Sequence, residues 1–210
     1  MPASHDRTPT PRVTRRRAET RRRLLSAASE MFVENGFGRT TVEDVCERAG
    51  YTRGAFYSNF GSLEEMLFTL YGDRSAAVVE AVANAVGAAV DSDDRTLDAV
   101  MDAVVGALPV SRDSHLLNLE FAIHALRHPD VAAALAEQRR QLREALVPVL
   151  RLGLQTVGIP FTDGSLDDLG RAVLATQEGM YLQELLEPLD RHLPSLRRQA
   201  LTAVLVNAQA

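Results

Sequence analysis

Three features of this 210-residue chain predict an all-α fold of about nine helices. No segment alternates apolar and polar residues at period two over strand length, whereas apolar residues recur at helical spacing along most of the chain. The ends of these segments carry helix punctuation: Thr or Ser ahead of an acid three residues on, Gly at the stop, Pro at or just before a start. The composition agrees, since 46% hydrophobic and 5% aromatic residues with no Trp make a core of Ala, Val and Leu that suits packed helices.

Residues 1–14 are rich in Pro, Ser and Thr and are expected to form a disordered basic tail. Arg15 to Arg23 then places six Arg in nine residues at the start of a helical pattern. Cations there oppose the helix dipole and repel one another, and Glu19 relieves only part of this, so an anionic partner is implied for Arg15, Arg16 and Arg17. The first helix continues through Leu24, Ala28, Met31 and Phe32, and stops at Asn35-Gly36, where Gly36 suits a left-handed cap. Thr40 or Thr41 heads the second helix, with Glu43 and Asp44 at capping-box distance. Val42, Val45, Cys46 and Ala49 form its apolar face, which makes Cys46 a small core residue. Gly50 closes this helix and Thr52 caps a short third helix at about 52–59. Phe56 and Phe60 can anchor the third helix, leaving Arg53, Gly54, Ala55, Tyr57, Ser58 and Asn59 on or near its outer side. Small residues flanked by a guanidinium, a phenol and an amide allow close approach and hydrogen bonds to bases or phosphates. Two helices, a tight turn and this outer surface form a helix-turn-helix signature over residues 40–60, within an expected domain 15–61, and Thr40, Thr41 and Thr52 at the helix heads join the expected DNA contacts.

A second, larger helical domain is expected over residues 62–210. Ser62 and Glu65 mark the start of a fourth helix running to about Ala89, with Leu63, Met66, Leu67 and Leu70 on one face. Helices are expected at about 94–108 and 112–127, then a long one from Pro129 or Asp130 that Pro148 should kink or interrupt. A loop at 158–164 precedes two more helices at about 165–187 and 194–208.

Charge divides along the same line. Residues 1–60 hold 11 Arg against 7 acids, and residues 61–210 hold 12 Arg against 21, which together make the net −5. A basic head on an acidic body points to nucleic acid as partner of the head. The single Cys excludes a disulfide framework and zinc-finger spacing. No apolar run reaches transmembrane length and the N-terminal segment lacks an apolar signal core, so no membrane association and a cytoplasmic location are expected. No nucleophile elbow, P-loop, dinucleotide fingerprint, HExxH or CxxC occurs, and His5, His115, His124, His128 and His192 lack triad partners, which argues against an enzyme. Glu120 and His124 are four apart, but no further metal-ligand pattern lies nearby, so neither metal nor cofactor is expected.

From about Arg16 to Leu70 the chain resembles the DNA-binding domain of the TetR family of transcriptional regulators. The matching residues are Leu24, Leu25, Ala28, Phe32 and Gly36, then Thr41, Val42 and Val45, Ala49-Gly50, and Gly54, Tyr57, Phe60, Glu64 and Leu67. The resemblance implies a homodimer on a pseudo-palindromic operator, with Thr41, Tyr57 and Asn59 on phosphates and Arg53, Gly54 and Ala55 facing base edges. Where the family often carries a backbone-binding Lys, this chain has Leu63, so that contact is lost or supplied by Arg of the first helix. The resemblance also implies a small-molecule effector pocket in the body, for which Met101, Val105, Leu108, Phe121, His124, Gln177 and Tyr181 are candidates. It implies a dimer interface on the last two helices, for which Leu169, Val173, Thr176, Gly179, Met180, Leu201, Val204 and Leu205 are candidates; these faces are expected to complete the protomer core as well. The expected function is a ligand-responsive repressor, with a DNA-organising protein lacking an effector as the alternative and a helical enzyme as the remote one.

Overall fold

The computed structural model describes residues 11–207; the remainder of the expected N-terminal tail, residues 1–10, lies outside them. The described residues contain helices and no strand. In chain order the helices are α1 (Pro11–Asn35), α2 (Val42–Ala49), α3 (Arg53–Tyr57), α4 (Leu63–Val90), α5 (Leu97–Ala107), α6 (Arg112–Arg127), α7 (Pro129–Thr156), α8 (Leu166–Leu186) and α9 (Leu193–Val206), with single 3-10 turns at Phe37–Arg39 and Asp163–Ser165. Within the described residues the first helix already includes residues 11–14, part of the segment expected to be tail.

Two compact units divide the chain, Met1–Tyr71 and Gly72–Ala210, so the division falls inside α4. The first turns of α4 go with the N-terminal unit because they bury Met66, Leu67 and Tyr71, and because Arg21 Nη2 on α1 donates to Thr69 Oγ1 at 3.4 Å. The Gly61-Ser62 turn starts α4 as a displaced capping box: Ser62 Oγ accepts from Glu65 N, while the Glu65 carboxylate reaches back to Gly61 N instead of the cap residue's own N–H.

The N-terminal unit is built on α1. Leu24, Ala28 and Phe32 are fully buried, and Phe32 meets Phe37 edge-on at 5.1 Å across the turn that follows. Gly36 makes that turn with φ 81° and ψ 151°, an extended positive-φ conformation closed to residues with a Cβ and different from the left-handed cap expected. On the surface, Arg48 bridges Glu30 and Glu34 at 3.1 and 2.7 Å, which ties α2 to α1.

In the C-terminal unit α8 and α9 pack along one another, α8 lies against α7 and α6, and α5 lies against α9. Leu154, Leu166 and Leu169 form a core into which Val147, Leu150, Ile159, Phe161, Val173, Val204 and Leu205 pack. Of the expected dimer-interface residues, Leu169 and Leu201 are buried, and Val173, Val204 and Leu205 pack partly buried against this core, so these five complete the protomer. The stripe reads as outward-facing in sequence because a helix buried on two sides shows no single apolar face; α8 has neighbours on α6, α7 and α9 at once. Thr176 and Met180 are half-buried, and of that set only Gly179 is exposed.

The long helix α7 also departs from expectation, since it continues through Pro148 without a break. Pro148 is exposed, so the carbonyl it leaves without an N–H partner can be hydrated, and buried Leu146 and Leu154 hold the helix on either side. Ion pairs join the helices: Arg143 to Asp167 at 3.0 Å links α7 to α8, and Arg198 to Asp98 at 2.9 Å links α9 to α5.

Candidate nucleic-acid interface

The helix-turn-helix is assembled from local caps. Thr41 is the N-cap of α2: its Oγ1 accepts from Asp44 N at 3.2 Å, and Asp44 Oδ2 accepts from Thr41 N at 2.8 Å. These bonds favour the ionised Asp44, whose pKa falls below the ordinary carboxylate value. Thr40, the other threonine, is buried, and its hydroxyl is bonded to the carbonyls of Met31 and Gly36. It therefore leaves the set of expected DNA contacts. Its side chain satisfies the C-terminal carbonyls of α1, a role that sequence spacing does not distinguish from capping α2.

Gly50 ends α2 in the left-handed region at φ 71° and ψ 35°. Its N–H donates to Glu47 O and that of Tyr51 to Cys46 O at 2.9 Å, a paired arrangement that turns the chain sharply. Thr52 then caps α3, its Oγ1 accepting from Ala55 N at 3.2 Å. Cys46 lies buried beneath the turn, and burial pushes its thiol pKa up, as expected for an inert core residue.

Burial sorts the residues of α3 into two roles. Phe56 and Phe60 are nearly completely buried, 6.1 Å apart, and Arg21 stacks over Phe60. Thr52, Arg53, Gly54, Tyr57 and Ser58 are exposed, with Ala55 half-buried. Arg53 Nη1 lies 2.5 Å from Glu43 Oε1 on α2, and its guanidinium sits 5.9 Å from the Tyr57 ring centroid. Hydrogen bonding with Tyr57 and the Glu43 charge both raise the Arg53 pKa.

Two expected contacts are engaged within the protein. Asn59 Nδ2 donates to Ala55 O at 2.8 Å, which turns the amide back onto α3. Arg17 Nη2 donates to Ser58 O at 3.1 Å, so this arginine caps the C-terminal end of α3. Arg15 and Arg16 are exposed. Leu63 is half-buried at the start of α4, a placement suited to packing. The residue that sequence reading misses is Glu43, which by spacing is only a capping partner of Thr40.

A second constellation lies within the C-terminal unit. Of the pocket candidates, Met101 and Phe121 are buried, while Val105, Leu108, His124, Gln177 and Tyr181 are half-buried. Three residues absent from that set join Gln177 and Tyr181. Buried His115 meets the Tyr181 ring edge-on at 5.5 Å. Buried Arg197 donates to Glu184 at 2.6 Å and to Gln177 Oε1 at 3.2 Å, and faces the Tyr181 ring at 5.7 Å. Burial lowers the His115 pKa, although the Glu178 carboxylate pulls the other way, and Glu178 is itself paired with Arg139. His115 Nε2 and Gln177 Nε2 are buried with no hydrogen-bond partner among the described residues. His115 and Arg197 escape sequence reading because each looks like an ordinary polar helix residue until α6, α8 and α9 are brought together. Among the described residues no cluster of three or more metal-ligating side chains occurs, and no helix is long and apolar enough to cross a membrane.

Comparison with known proteins agrees with both units. Residues 24–70 match the family model described as bacterial regulatory proteins, tetR family, and residues 93–209 match that of the BetI-type transcriptional repressor C-terminal region. The regulator TtgR of Pseudomonas putida is 42% identical over 52 residues, 25% of this chain and 25% of that protein, so the chain matches only about a quarter of that relative's length. UidR of Escherichia coli (strain K12) is 25% identical over 166 residues, 76% of this chain and 82% of UidR. The structure of the fatty acid degradation regulator FadR from Bacillus halodurans shares the fold, with a TM-score of 0.69 at 15% identity over 96% of this chain and 98% of that one. With a helix-turn-helix of matching pattern at its head and a family model covering more than half its length behind it, the chain belongs to the TetR family of bacterial regulatory proteins.

Proposed function

We propose that the protein is a ligand-responsive transcriptional repressor that binds a pseudo-palindromic DNA operator as a homodimer in the cytoplasm. The observation that carries the DNA-binding part is the division of α3, where buried Phe56 and Phe60 hold exposed Arg53, Gly54 and Tyr57 on a surface that packing does not use. Arg53 is the base-reading residue, and Thr41, Tyr57 and the Arg15-Arg16 pair provide phosphate contacts. The match of residues 93–209 to a repressor C-terminal model supports repression as the output.

The effector site is the polar cluster of His115, Gln177 and Tyr181, backed by Arg197. Its ionised groups are matched internally, Arg197 with Glu184 and Arg139 with Glu178, and burial disfavours the charged form of His115. Such a site suits an uncharged, partly apolar molecule with an oxygen that accepts hydrogen bonds. The dimer surface, in place of the residues now in the core, is the exposed stripe of Ala172, Ala175 and Gly179 on α8 with Leu196, Ala203 and Val206 on α9. Small and apolar side chains there permit close isologous packing.

Selection of bound duplexes from a random-sequence library by the full chain tests this reading. Enrichment of an inverted repeat is expected, and recovery of no common sequence at physiological salt would favour a non-specific DNA-organising role instead. Arg53→Ala should weaken binding to the selected duplex by roughly 1–3 kcal/mol and relax base preference, whereas Tyr57→Phe should weaken binding without changing preference.

A further inference from the structure

We infer that Glu43 is a positioning residue for sequence readout: its carboxylate sets the orientation of the Arg53 guanidinium, and its charge discourages DNA contacts that do not use that orientation. The inference rests on the reading of α3 as the base-reading helix. Glu43 lies in the first turn of α2 and Arg53 is the first residue of α3, so the pair spans the turn of the motif. Their contact is 2.5 Å, with the two side chains 57% and 62% exposed. Exposed pairs contribute little to stability, so the consequence of this one is geometric. Glu43 draws Nη1 toward α2 by charge, and the Tyr57 side chain engages the guanidinium from α3, so the head group is confined between the two. Bidentate recognition of a guanine edge needs the guanidinium near the groove in a limited set of orientations, and an arginine already confined loses less rotamer freedom on binding.

The same carboxylate works against indiscriminate binding. Non-specific affinity comes from phosphate neutralisation, and a negative charge beside the reading arginine opposes it. Asp44, the adjacent acid, is engaged by the Thr41 cap and is not placed to take this role. Glu47, one turn further along α2, is exposed, which makes it a control for charge alone.

The test compares affinities of the full chain for a duplex selected by the wild type and for an unrelated duplex of the same length, by fluorescence anisotropy at fixed salt. Glu43→Gln should lower the ratio of selected to unrelated affinity by roughly 3- to 10-fold, with a gain on the unrelated duplex. Glu47→Gln should leave the ratio at the wild-type value. In an Arg53→Ala background, Glu43→Gln should raise both affinities alike through the lost charge and leave the ratio unchanged, because its effect on preference passes through Arg53. An unchanged ratio in Glu43→Gln, or an equal fall with and without Arg53, overturns the inference while leaving the reading of α3 intact. An unchanged ratio in Arg53→Ala alone overturns that reading and the inference with it. Matching thermal melts of the variants would establish that these exposed substitutions leave the fold in place.

Discussion

The two units use polar side chains in opposite ways. In the N-terminal unit the threonines that cap the motif are exposed and are held by partners three residues away: Thr41 with Asp44 and Thr52 with Ala55. In the C-terminal unit the central groups are buried and their partners are distant in sequence: Arg197 with Gln177 and Glu184, His115 with Tyr181. A DNA-reading surface must be preformed yet accessible, and local caps achieve that without burying the groups that do the reading. The proposed effector site gains from burial, because hydrogen bonds in a low-dielectric interior discriminate strongly between ligands.

The sharpest way to break this comparison is at the buried ion pair. Glu184→Gln leaves the Arg197 guanidinium, only 7% exposed, without its carboxylate. A loss of about 3–5 kcal/mol is expected in chemical denaturation of the full chain. A change near zero would mean that the pair behaves like a surface pair and that the contrast between the units is overstated.

Acidification is expected to act next, and on the same unit. His115 has a lowered pKa in the folded state, so below the unfolded value of about 6.5 the unfolded chain binds more protons there than the folded one. Stability should be highest above that pH, fall as pH drops through it, and stop responding to this group once the pH is below the folded pKa. Thermal melts from pH 7.5 to 5 should show the decline, and His115→Asn should flatten it. An equal decline in that variant would assign the effect elsewhere.

The smallest expected effect separates two adjacent threonines. Thr41→Ala removes the α2 cap and should cost about 1 kcal/mol of stability together with part of the DNA affinity. Thr40→Val removes the single hydroxyl donor shared by the Gly36 and Met31 carbonyls and should cost about 1 kcal/mol as well, with DNA affinity unchanged once folded. Equal losses of affinity in folded Thr40→Val and Thr41→Ala would return Thr40 to the interface.

Much of the N-terminal site is legible in the sequence alone. The helix starts at Thr52 and Ser62, the stop at Gly50 and the anchors Phe56 and Phe60 all follow from interactions within a few residues, while the start of α2 is legible only as Thr40 or Thr41. The helix boundaries in the body are legible to within three residues for the same reason, since caps and Pro act locally: Ser111 starts α6 and His128-Pro129 separates it from α7. What α8 and α9 face is not legible. Leu169 and Val204 have the spacing of an interface stripe and the burial of a core, and only the position of α7 and its neighbours distinguishes the two. Pro148 misleads in the other direction, because a local rule for breaking helices is overridden by packing on both sides.

The sequence by itself determined an all-α chain, a basic head with a helix-turn-helix and the residues that cap it, because helix periodicity, caps and charge are properties of near neighbours. Only the tertiary structure decided that Thr40 is buried under the motif, that Glu43 reaches Arg53 across the turn, and that His115, Gln177, Tyr181 and Arg197 share one interior site. Those facts depend on how helices remote in sequence or separated by a turn are brought together, and burial and pairing across helices leave no periodic mark along the chain.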